Sequence, residues 1–205
     1  TYTSPDTYEV ALLSAGAAVD AVERVMGGRH QRALVLSRPP GHHAERDRAM
    51  GFCFYNNVAV AAAHARSMGA RRVAIMDYDV HHGNGTQEIF EADPEVLYVS
   101  THQFPYYPGT GAVSEIGRGE GTGYTVNLPL DAGATDDDYR KVFEGVVVPV
   151  IRQFGPDVVL VSAGFDAHER DPLGGMRVTT SGFAAMTASL RQVAEECCGG
   201  RMVAV

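Results

Sequence analysis

The chain has 205 residues, of which 45% are hydrophobic and 20% charged, and its formal net charge is −8. This length suits one sizeable core, so we expect a single domain. The acidic balance argues against direct nucleic-acid binding, and three cysteines without a metal-binding spacing argue against a disulfide framework. Because neither a membrane-spanning apolar run nor a signal-peptide pattern occurs, we predict a cytoplasmic protein without a membrane partner.

Helical and strand-like segments alternate along the chain. The pattern predicts, in chain order, a helix over 7–26, a strand over 33–37, a helix over 56–68, a strand over 72–77, a helix over 86–92, strands over 96–101 and 124–128, a helix over 136–153, a strand over 157–162, a helix over 181–196 and a strand over 202–205. Asp136 and Ser181 are expected as N-caps. The strands are almost continuously apolar, which favours an α/β domain on a mainly parallel, doubly covered sheet.

Polar, histidine-rich segments follow four of the predicted strands. They cover 38–43, 77–84, 102 and 163–166, and the Gly-rich stretch 109–123 is expected to be a long surface loop. In open parallel sheets the loops at the carboxyl ends of the strands form the binding crevice. We therefore expect these segments to converge on one site.

Three of these residues suit a catalytic metal centre. Asp79 and His81 are two apart, so their side chains lie on the same side of an extended segment, and Asp166 from another strand end completes a three-ligand set. Two carboxylates and one imidazole leave a fourth position open for water or substrate, as catalytic zinc requires, and iron(II) accepts the same ligands. Taken singly, each residue is also compatible with a salt bridge in a loop.

The adjacent pair His42 and His43 is suited to proton transfer. Asp77 is the expected partner of His42, and Asn84 is the expected partner of His43. An anionic partner on one imidazole and a neutral partner on the other should push the two pKa values apart. The competing interpretation is a polar turn after two prolines.

Several strings in the sequence together resemble a known family. They are RPPGHHAE at 38–45, GFCFYNN at 51–57, DYDVHHGNGT at 77–86, SAGFDAH at 162–168 and DPLGG at 171–175. In this order they are similar to the zinc-dependent histone deacetylase superfamily, nearest its class II and bacterial amidohydrolase-like branch. The resemblance implies a three-layer α/β/α arginase/deacetylase fold. Arginase-like manganese hydrolases share that fold, but the paired histidines and the GFC segment resemble the deacetylase side.

The resemblance also implies roles for the polar residues. It makes Asp79, His81 and Asp166 the zinc ligands. His43 matches the general base and acid, and His42 matches its electrostatic companion bonded to Asp77. A structural potassium ion is implied as well, and its ligands would come from Asp77, Asp79, His81, Ser100 and Thr101.

Four further positions match substrate-binding residues of the family. Phe52 and Tyr107 fall where two aromatic walls enclose an acyl-lysine chain, although ordinary packing is the alternative and Tyr107 stands where Phe is usual. Gly164 matches a residue near the substrate carbonyl. Leu173 stands where polyamine-preferring relatives carry an acidic residue, which favours an acyl-lysine substrate.

The family pattern extends past both ends of the sequence. The family's first strand would precede Thr1, and its Gly-Gly-Tyr segment, whose tyrosine polarises the substrate carbonyl, would follow Val205. We therefore expect residues 1–205 to be a fragment that forms a single deacetylase catalytic domain.

The sequence leaves three functions open. The first is zinc-dependent hydrolysis of acetyl or other acyl groups from lysine side chains of a peptide or protein. The second is deacetylation of polyamines or other small acetylated amines, and the third is a catalytically silent acyl-lysine or partner-binding module. His82 is expected to have a structural role, His102 either a structural role or a place near the site, and Arg38 either pairs with a buried carboxylate or lines an acetate exit path.

Overall fold

The computed structural model describes residues 2–205, and its elements alternate as the sequence pattern predicts. The helices are α1 (Thr7–Met26), α2 (Asn57–Ser67), α3 (Asn84–Phe90), α4 (Asp136–Val142), α5 (Val148–Phe154) and α6 (Thr180–Cys198). The strands are β1 (Arg32–Leu34), β2 (Val73–Asp77), β3 (Val96–Gln103), β4 (Thr125–Leu130), β5 (Val158–Ser162) and β6 (Met202–Ala204). A 3₁₀ turn spans Gly119–Gly121, and a π-helical turn, Phe143–Val147, joins α4 to α5.

The six strands form one parallel sheet between two helical layers. Their order is β1-β6-β5-β2-β3-β4, and every pairing is parallel. In β2, Val73 and Ile75 pack with α1 and α2, whereas Ala74 and Met76 pack with α4 and α6 on the other face. The predicted three-layer α/β/α architecture is therefore confirmed.

Burial on both faces explains why the central strands are apolar up to their last residues. All five residues of β2 and all five of β5 are buried. Burying one large aliphatic side chain contributes about 1.5–3 kcal/mol, so these strands hold the sheet together and give its carboxyl edge a rigid base. The loops that carry the polar residues start from this edge.

Both predicted N-caps are wrong. Thr135 precedes α4, where its backbone N–H and hydroxyl donate to Asp138, and the hydroxyl of Thr179 accepts from the N–H of Gly182 at the start of α6. Asp136 instead binds Thr179, accepting from its N–H at 2.7 Å and from its hydroxyl at 2.6 Å. This tertiary contact ties the starts of α4 and α6 together. Ser181 lies within α6.

Some predicted boundaries also differ. β1 is shorter than predicted, since it pairs only with the three residues of β6, and β3 and β4 extend further because they pair through Gln103 and Leu130. The helix predicted over 136–153 is interrupted by the π-helical turn. α3 begins at Asn84, which places that side chain on the first turn of a helix.

The strand order creates a crevice at the centre of the sheet. From β2 the chain continues to β3 on one side, and from β5 it continues to β6 on the other side. The direction of chain progress thus reverses between β2 and β5, and ligands of open α/β sheets bind at such a switch point. Asp79 and His81 follow β2, and Asp166 follows β5.

Candidate active site at the switch point

The three predicted metal ligands come together at this crevice and form a metal group. Ligand atoms of Asp79, His81 and Asp166 all lie within 4.8 Å of one another, and the three side chains are half-buried. The backbone N–H of His81 donates to Asp79 Oδ1 and that of Val80 donates to Asp166 Oδ1, each at 2.8 Å. These bonds orient both carboxylates toward the imidazole.

The chemistry of this group fits a divalent cation. His81 Nδ1 lies 3.1 Å from Asp79 Oδ1 and 2.8 Å from Asp166 Oδ2. Burial lowers the pKa of His81, but hydrogen bonds and charge from the two carboxylates outweigh it and raise the pKa to about 10. Burial also raises the pKa of Asp166. Two crowded carboxylates that hold a proton on a neighbouring imidazole offer the negative charge that a metal ion would neutralise.

Gly164 leaves the space that Asp79 needs. A Cβ added at Gly164 would lie 2.0 Å from Asp79 Oδ2, so any larger residue would displace this carboxylate. The predicted substrate-binding residue therefore lies directly behind the metal group. Gly164 lines a cavity of about 220 Å³, which Asp79 and His42 also border.

The two predicted histidines form a buried pair beside the metal group, with their rings tilted by 45° to each other. His42 Nδ1 lies 3.0 Å from Asp77 Oδ2, and His43 Nδ1 lies 2.8 Å from Asn84 Oδ1. Their ring centroids are 4.0 Å apart. Both partners predicted from the sequence are therefore in place.

The two imidazoles differ strongly in proton affinity. Burial works to lower the pKa of His42, but the charges of Asp77 and Asp79 outweigh it and raise the pKa to about 9. Burial together with the neighbouring charge of His42 lowers the pKa of His43 to about 3. His42 is thus a cation near neutral pH, and His43 is a neutral base, which confirms the predicted divergence.

A second set of contacts holds the partners of the histidines, and sequence reasoning missed it. The hydroxyl of Tyr98 donates to the fully buried Asp77 at 3.3 Å. Asn84 Nδ2 donates to Glu45 at 2.8 Å, and Arg48 pairs with the same carboxylate at 2.9 Å. Tyr98 sits within an apolar strand, so the sequence offered only a packing signal for it.

Asn56 holds the backbone of the histidine pair, which sequence reasoning also missed. Its Oδ1 accepts from the N–H of Ala59 and caps α2, while its Nδ2 donates to the carbonyl of Ala44 at 3.2 Å and to Thr86 at 3.1 Å. The N–H of Thr86 donates to the carbonyl of His42 at 3.1 Å. Both sides of His43 are therefore tethered to helix starts.

One cavity of about 530 Å³ opens onto the metal group and the histidine pair. It is lined by Tyr2, Pro40, His42, His43, Gly51, Phe52, Asp79, His81, Tyr107, Asp166 and Leu173. The ring of Tyr107 meets His43 edge-on at 5.1 Å, and Phe52, which has φ +67°, is 71% exposed at the rim. Three of the four predicted substrate-binding residues, Phe52, Tyr107 and Leu173, border this cavity.

Three of the five residues predicted to bind potassium, Asp77, Ser100 and Thr101, lie in the neighbouring strands β2 and β3. Asp77 and Ser100 are paired partners in β2 and β3, and both are buried. The hydroxyl of Thr101 is buried without a hydrogen-bond partner among the described residues. Potassium binding at this position stays a prediction.

Two alternatives left open by the sequence are decided by the fold. His102 lies within β3 rather than in a loop, is fully buried, and does not border the cavity. Arg38 is exposed on a groove beside Pro39 and Phe52, and no carboxylate within residues 2–205 forms an ion pair with it. Of the two alternatives for Arg38, pairing with a buried carboxylate is therefore wrong, and the acetate exit path stays a prediction. Cys53 is also buried.

Comparison with known proteins shows the family. A family model described as the histone deacetylase domain matches residues 1–205. The chain belongs to the histone deacetylase family. This histone deacetylase domain is 47% identical over 209 residues to "Histone deacetylase 10, chloroplastic" of Oryza sativa subsp. japonica, covering 99% of this chain and 47% of that protein.

Two further relatives agree with this assignment. "Polyamine deacetylase HDAC10" of Rattus norvegicus is 46% identical over 212 residues, which cover 100% of this domain and 35% of that protein. The solved structure "Crystal Structure of HDA15 HD domain" superposes with a TM-score of 0.94 at 47% identity, covering 100% of this chain and 59% of that chain. The chain spans about half the length of the first curated relatives it matches.

No helix within residues 2–205 combines the length and the apolar character that a bilayer-spanning helix requires.

Proposed function

We propose that this domain hydrolyses acetyl and other acyl groups from the side-chain nitrogen of lysine in peptides or proteins. The observation that supports this most is the convergence of the Asp79, His81 and Asp166 group and the buried histidine pair on one cavity. Hydrolysis of a linear amide needs an activated water and a proton donor for the departing amine. The cavity brings together residue types that can serve both needs.

Zinc is the metal we assign to Asp79, His81 and Asp166. Two carboxylates and one imidazole match a catalytic zinc site with an open fourth position. Bound there, zinc would polarise the substrate carbonyl and acidify water. Iron(II) accepts the same ligands, so reloading the chelated protein with each metal in turn would identify the better one.

His43 carries the proton in this proposal. Because Asn84 donates through Nδ2 to Glu45, its Oδ1 must accept from His43 Nδ1–H, and the bare Nε2 of His43 is left as the base. His43 takes a proton from the attacking water and passes it to the lysine nitrogen as the C–N bond breaks. Burial and the neighbouring charge of His42 keep the pKa of His43 low. The cationic His42 also stabilises developing negative charge.

A structural potassium ion bound by Asp77, Asp79, His81, Ser100 and Thr101 is part of the proposal. His102 Nε2 lies 2.8 Å from the carbonyl of Gly111 and must donate to it, so His102 Nδ1 accepts from the hydroxyl of Ser100 at 2.9 Å. This leaves the lone pairs of Ser100 available to a cation beside the buried carboxylate of Asp77.

The walls of the cavity favour an acyl-lysine chain over a polyamine. Phe52 and Tyr107 present aromatic surfaces, and Leu173 adds no charge for a second cationic nitrogen. The similarity to a relative named as a polyamine deacetylase makes acetylated polyamines the second candidate.

The experiment compares an acetyl-lysine peptide with an acetylated polyamine as substrates of the complete, zinc-loaded protein. We expect chelator-sensitive turnover of the peptide and a shift toward the polyamine in Leu173→Glu, with Leu173→Gln as the uncharged control. Turnover of the polyamine alone would refute the substrate assignment. Binding of zinc and peptide without any turnover would support the silent binding module instead.

The metal assignment has its own test. In Asp166→Ala we expect zinc to be lost and turnover to fall by more than about 100-fold. Loss of a contact that only supports a metal ligand typically lowers metal affinity or activity by about 10–100-fold, so loss of a ligand should cost more. Asp131→Ala, at an exposed aspartate, is the matched control. Full turnover by Asp166→Ala would end the metal-dependent mechanism.

A further inference from the structure

Two histidines outside the proposed chemistry lie behind the cavity. His82 is 1% exposed and His102 is fully buried, and their ring centroids are 4.8 Å apart. Neither ring borders the cavity. Their partners come from α3, from β3 and from the loop over residues 104–118, which also carries Tyr107.

The hydrogen bonds of Gln87 determine which ring nitrogen of His82 carries the proton. Gln87 Nε2 donates to Glu115 Oε2 at 2.6 Å, so Gln87 Oε1 accepts from Asn127 Nδ2 at 2.7 Å and from His82 Nε2 at 3.0 Å. With its proton on Nε2, His82 has a bare Nδ1, which accepts from the hydroxyl of Thr110 at 2.8 Å. Both ring nitrogens of His82 are thus satisfied.

The cluster holds three consecutive residues of the loop. Thr110 is bound by His82, the carbonyl of Gly111 is bound by His102, and Glu115 Oε1 accepts from the N–H groups of Gly111 and Ala112 at 2.9 Å each. Gly111 has φ +92°, and a Cβ added there would lie 2.4 Å from His102 Nε2 and 2.6 Å from His82 Cγ. The loop therefore lies in direct contact with both rings and can be held closely.

The anchored segment is next to the residues that face the cavity. Tyr107 lies three positions before Thr110, and a bond of 2.8 Å from the N–H of Gly109 to the carbonyl of Tyr106 closes the turn between them. Tyr107 borders the cavity, while Tyr106 stacks on His81 at 5.3 Å and donates its hydroxyl to the carbonyl of Leu173. The 104–118 loop thus supplies a wall of the cavity through Tyr107 and a hydrogen bond to Leu173, which also lines the cavity, through Tyr106.

We propose that Glu115, through Gln87, His82 and His102, forms a positioning network that fixes the 104–118 loop and thereby sets Tyr107 against the acyl-lysine chain. This inference rests on the proposed function, because it assigns the loop a role in binding that substrate. Since the network touches no reacting atom, its loss should weaken substrate binding more than it slows the chemical step.

Glu115→Gln tests the network at a member that is only half-buried. A glutamine cannot accept from Gln87, Gly111 and Ala112 together, because its amide nitrogen faces one of these donors. In the complete zinc-loaded protein we expect KM for an acetyl-lysine peptide to rise about 10-fold, a coupling typical of residues in one network, with a much smaller change in kcat. Amide hydrogen exchange over residues 104–118 should become faster. Glu120→Gln removes the same charge from an exposed position nearby and should change neither quantity.

A double-mutant cycle separates positioning from general stability. If Glu115 acts through Tyr107, Glu115→Gln should raise KM much less in a Tyr107→Ala background than in the wild type. Equal increases in both backgrounds, or an unchanged KM with only a lower melting temperature, would overturn the proposal. Thr110→Val provides a second disruption of the network, and Thr110→Ser, which keeps the hydroxyl bonded to His82, should restore KM.

The outcomes distinguish this inference from the proposed function. No turnover of the peptide by the wild type would refute the proposed function and, with it, the role of the loop in substrate binding. Normal turnover by the wild type combined with unchanged hydrogen exchange in Glu115→Gln would refute the network alone.

Discussion

Two regions of this domain are rich in histidine, and they differ in their partners. At the cavity, His42 and His81 have carboxylates beside them, and His43 lies between a cation and an open space. Behind the cavity, His82 and His102 bind only hydroxyl, amide and carbonyl groups, and all four of their ring nitrogens have partners.

The difference shows what makes an imidazole reactive in this fold. His82 and His102 have no free nitrogen and no adjacent cavity, so their hydrogen bonds can only hold structure. His43 has one nitrogen held by Asn84 and the other left free beside the metal group. Reactivity follows from an unsatisfied nitrogen and nearby charge, and not from the residue type.

Removing the base should give the largest effect. In His43→Ala we expect kcat to fall about 10²–10⁴-fold, the usual contribution of a general base, because no other group takes its proton. Zinc content should stay close to wild type, since His43 is not a proposed ligand. Steady-state kinetics and metal analysis measure both, with the exposed His30→Ala as control. Undiminished turnover would show that another group is the base.

Replacing a histidine of the region behind the cavity by alanine should instead lower the stability of the fold. His102→Ala leaves the carbonyl of Gly111 and the hydroxyl of Ser100 without their partner and opens a cavity. We expect the free energy of unfolding to fall by about 2–4 kcal/mol, measured by urea denaturation. Wild-type stability combined with lost turnover would contradict the structural role of His102.

A single methyl group should weaken the metal site without replacing a ligand. In Gly164→Ala the new Cβ would lie 2.0 Å from Asp79 Oδ2, so the carboxylate must move. We expect zinc affinity to fall about 10–100-fold, as when a supporting contact of a metal ligand is lost. Chelator competition measures this, and Gly145→Ala, whose Cβ would meet nothing within 4 Å, is the control. Unchanged affinity would mean that Asp79 is not a ligand.

The raised pKa of His42 should make the metal-free protein less stable as pH rises. Its pKa is 6.5 in the unfolded chain and about 9 when folded, so its stabilising contribution is complete below pH 6.5 and is lost as pH rises through 9. From pH 7 to pH 8 the free energy of unfolding should fall by about 1 kcal/mol more in the wild type than in His42→Gln. Equal pH slopes in urea denaturation would contradict the charged state of His42.

Much of the site could be predicted because its residues lie at the ends of strands. Asp79 and Asp166 follow apolar runs directly, and parallel strands bring their carboxyl ends to one edge whatever the length of the connections. The partners Asp77 and Asn84 were predictable because a paired imidazole needs a fixed tautomer. Tyr98 and Glu45 were missed since hydrogen bonds between distant segments leave no periodic signal.

The errors in the elements have a similar physical origin. Asp136 resembles an N-cap in sequence, but its carboxylate forms bonds with Thr179 that only the packing of α4 against α6 makes possible. His102 resembles the start of a loop, but pairing between β3 and β4 extends the strand through it. In both cases a tertiary contact outweighs a local preference of similar strength.

The sequence by itself determined the layer architecture, the family resemblance and the metal group, because hydrophobic periodicity and short motifs are local properties of the chain. The tertiary structure decided which histidines face open space and which are enclosed. His81 and His82 are adjacent in sequence, yet one lies among carboxylates at the cavity and the other binds Thr110 and Gln87 behind it. That division depends in part on residues far away in sequence, Thr110 for His82 and Asp166 for His81, and therefore arises only when the chain has folded.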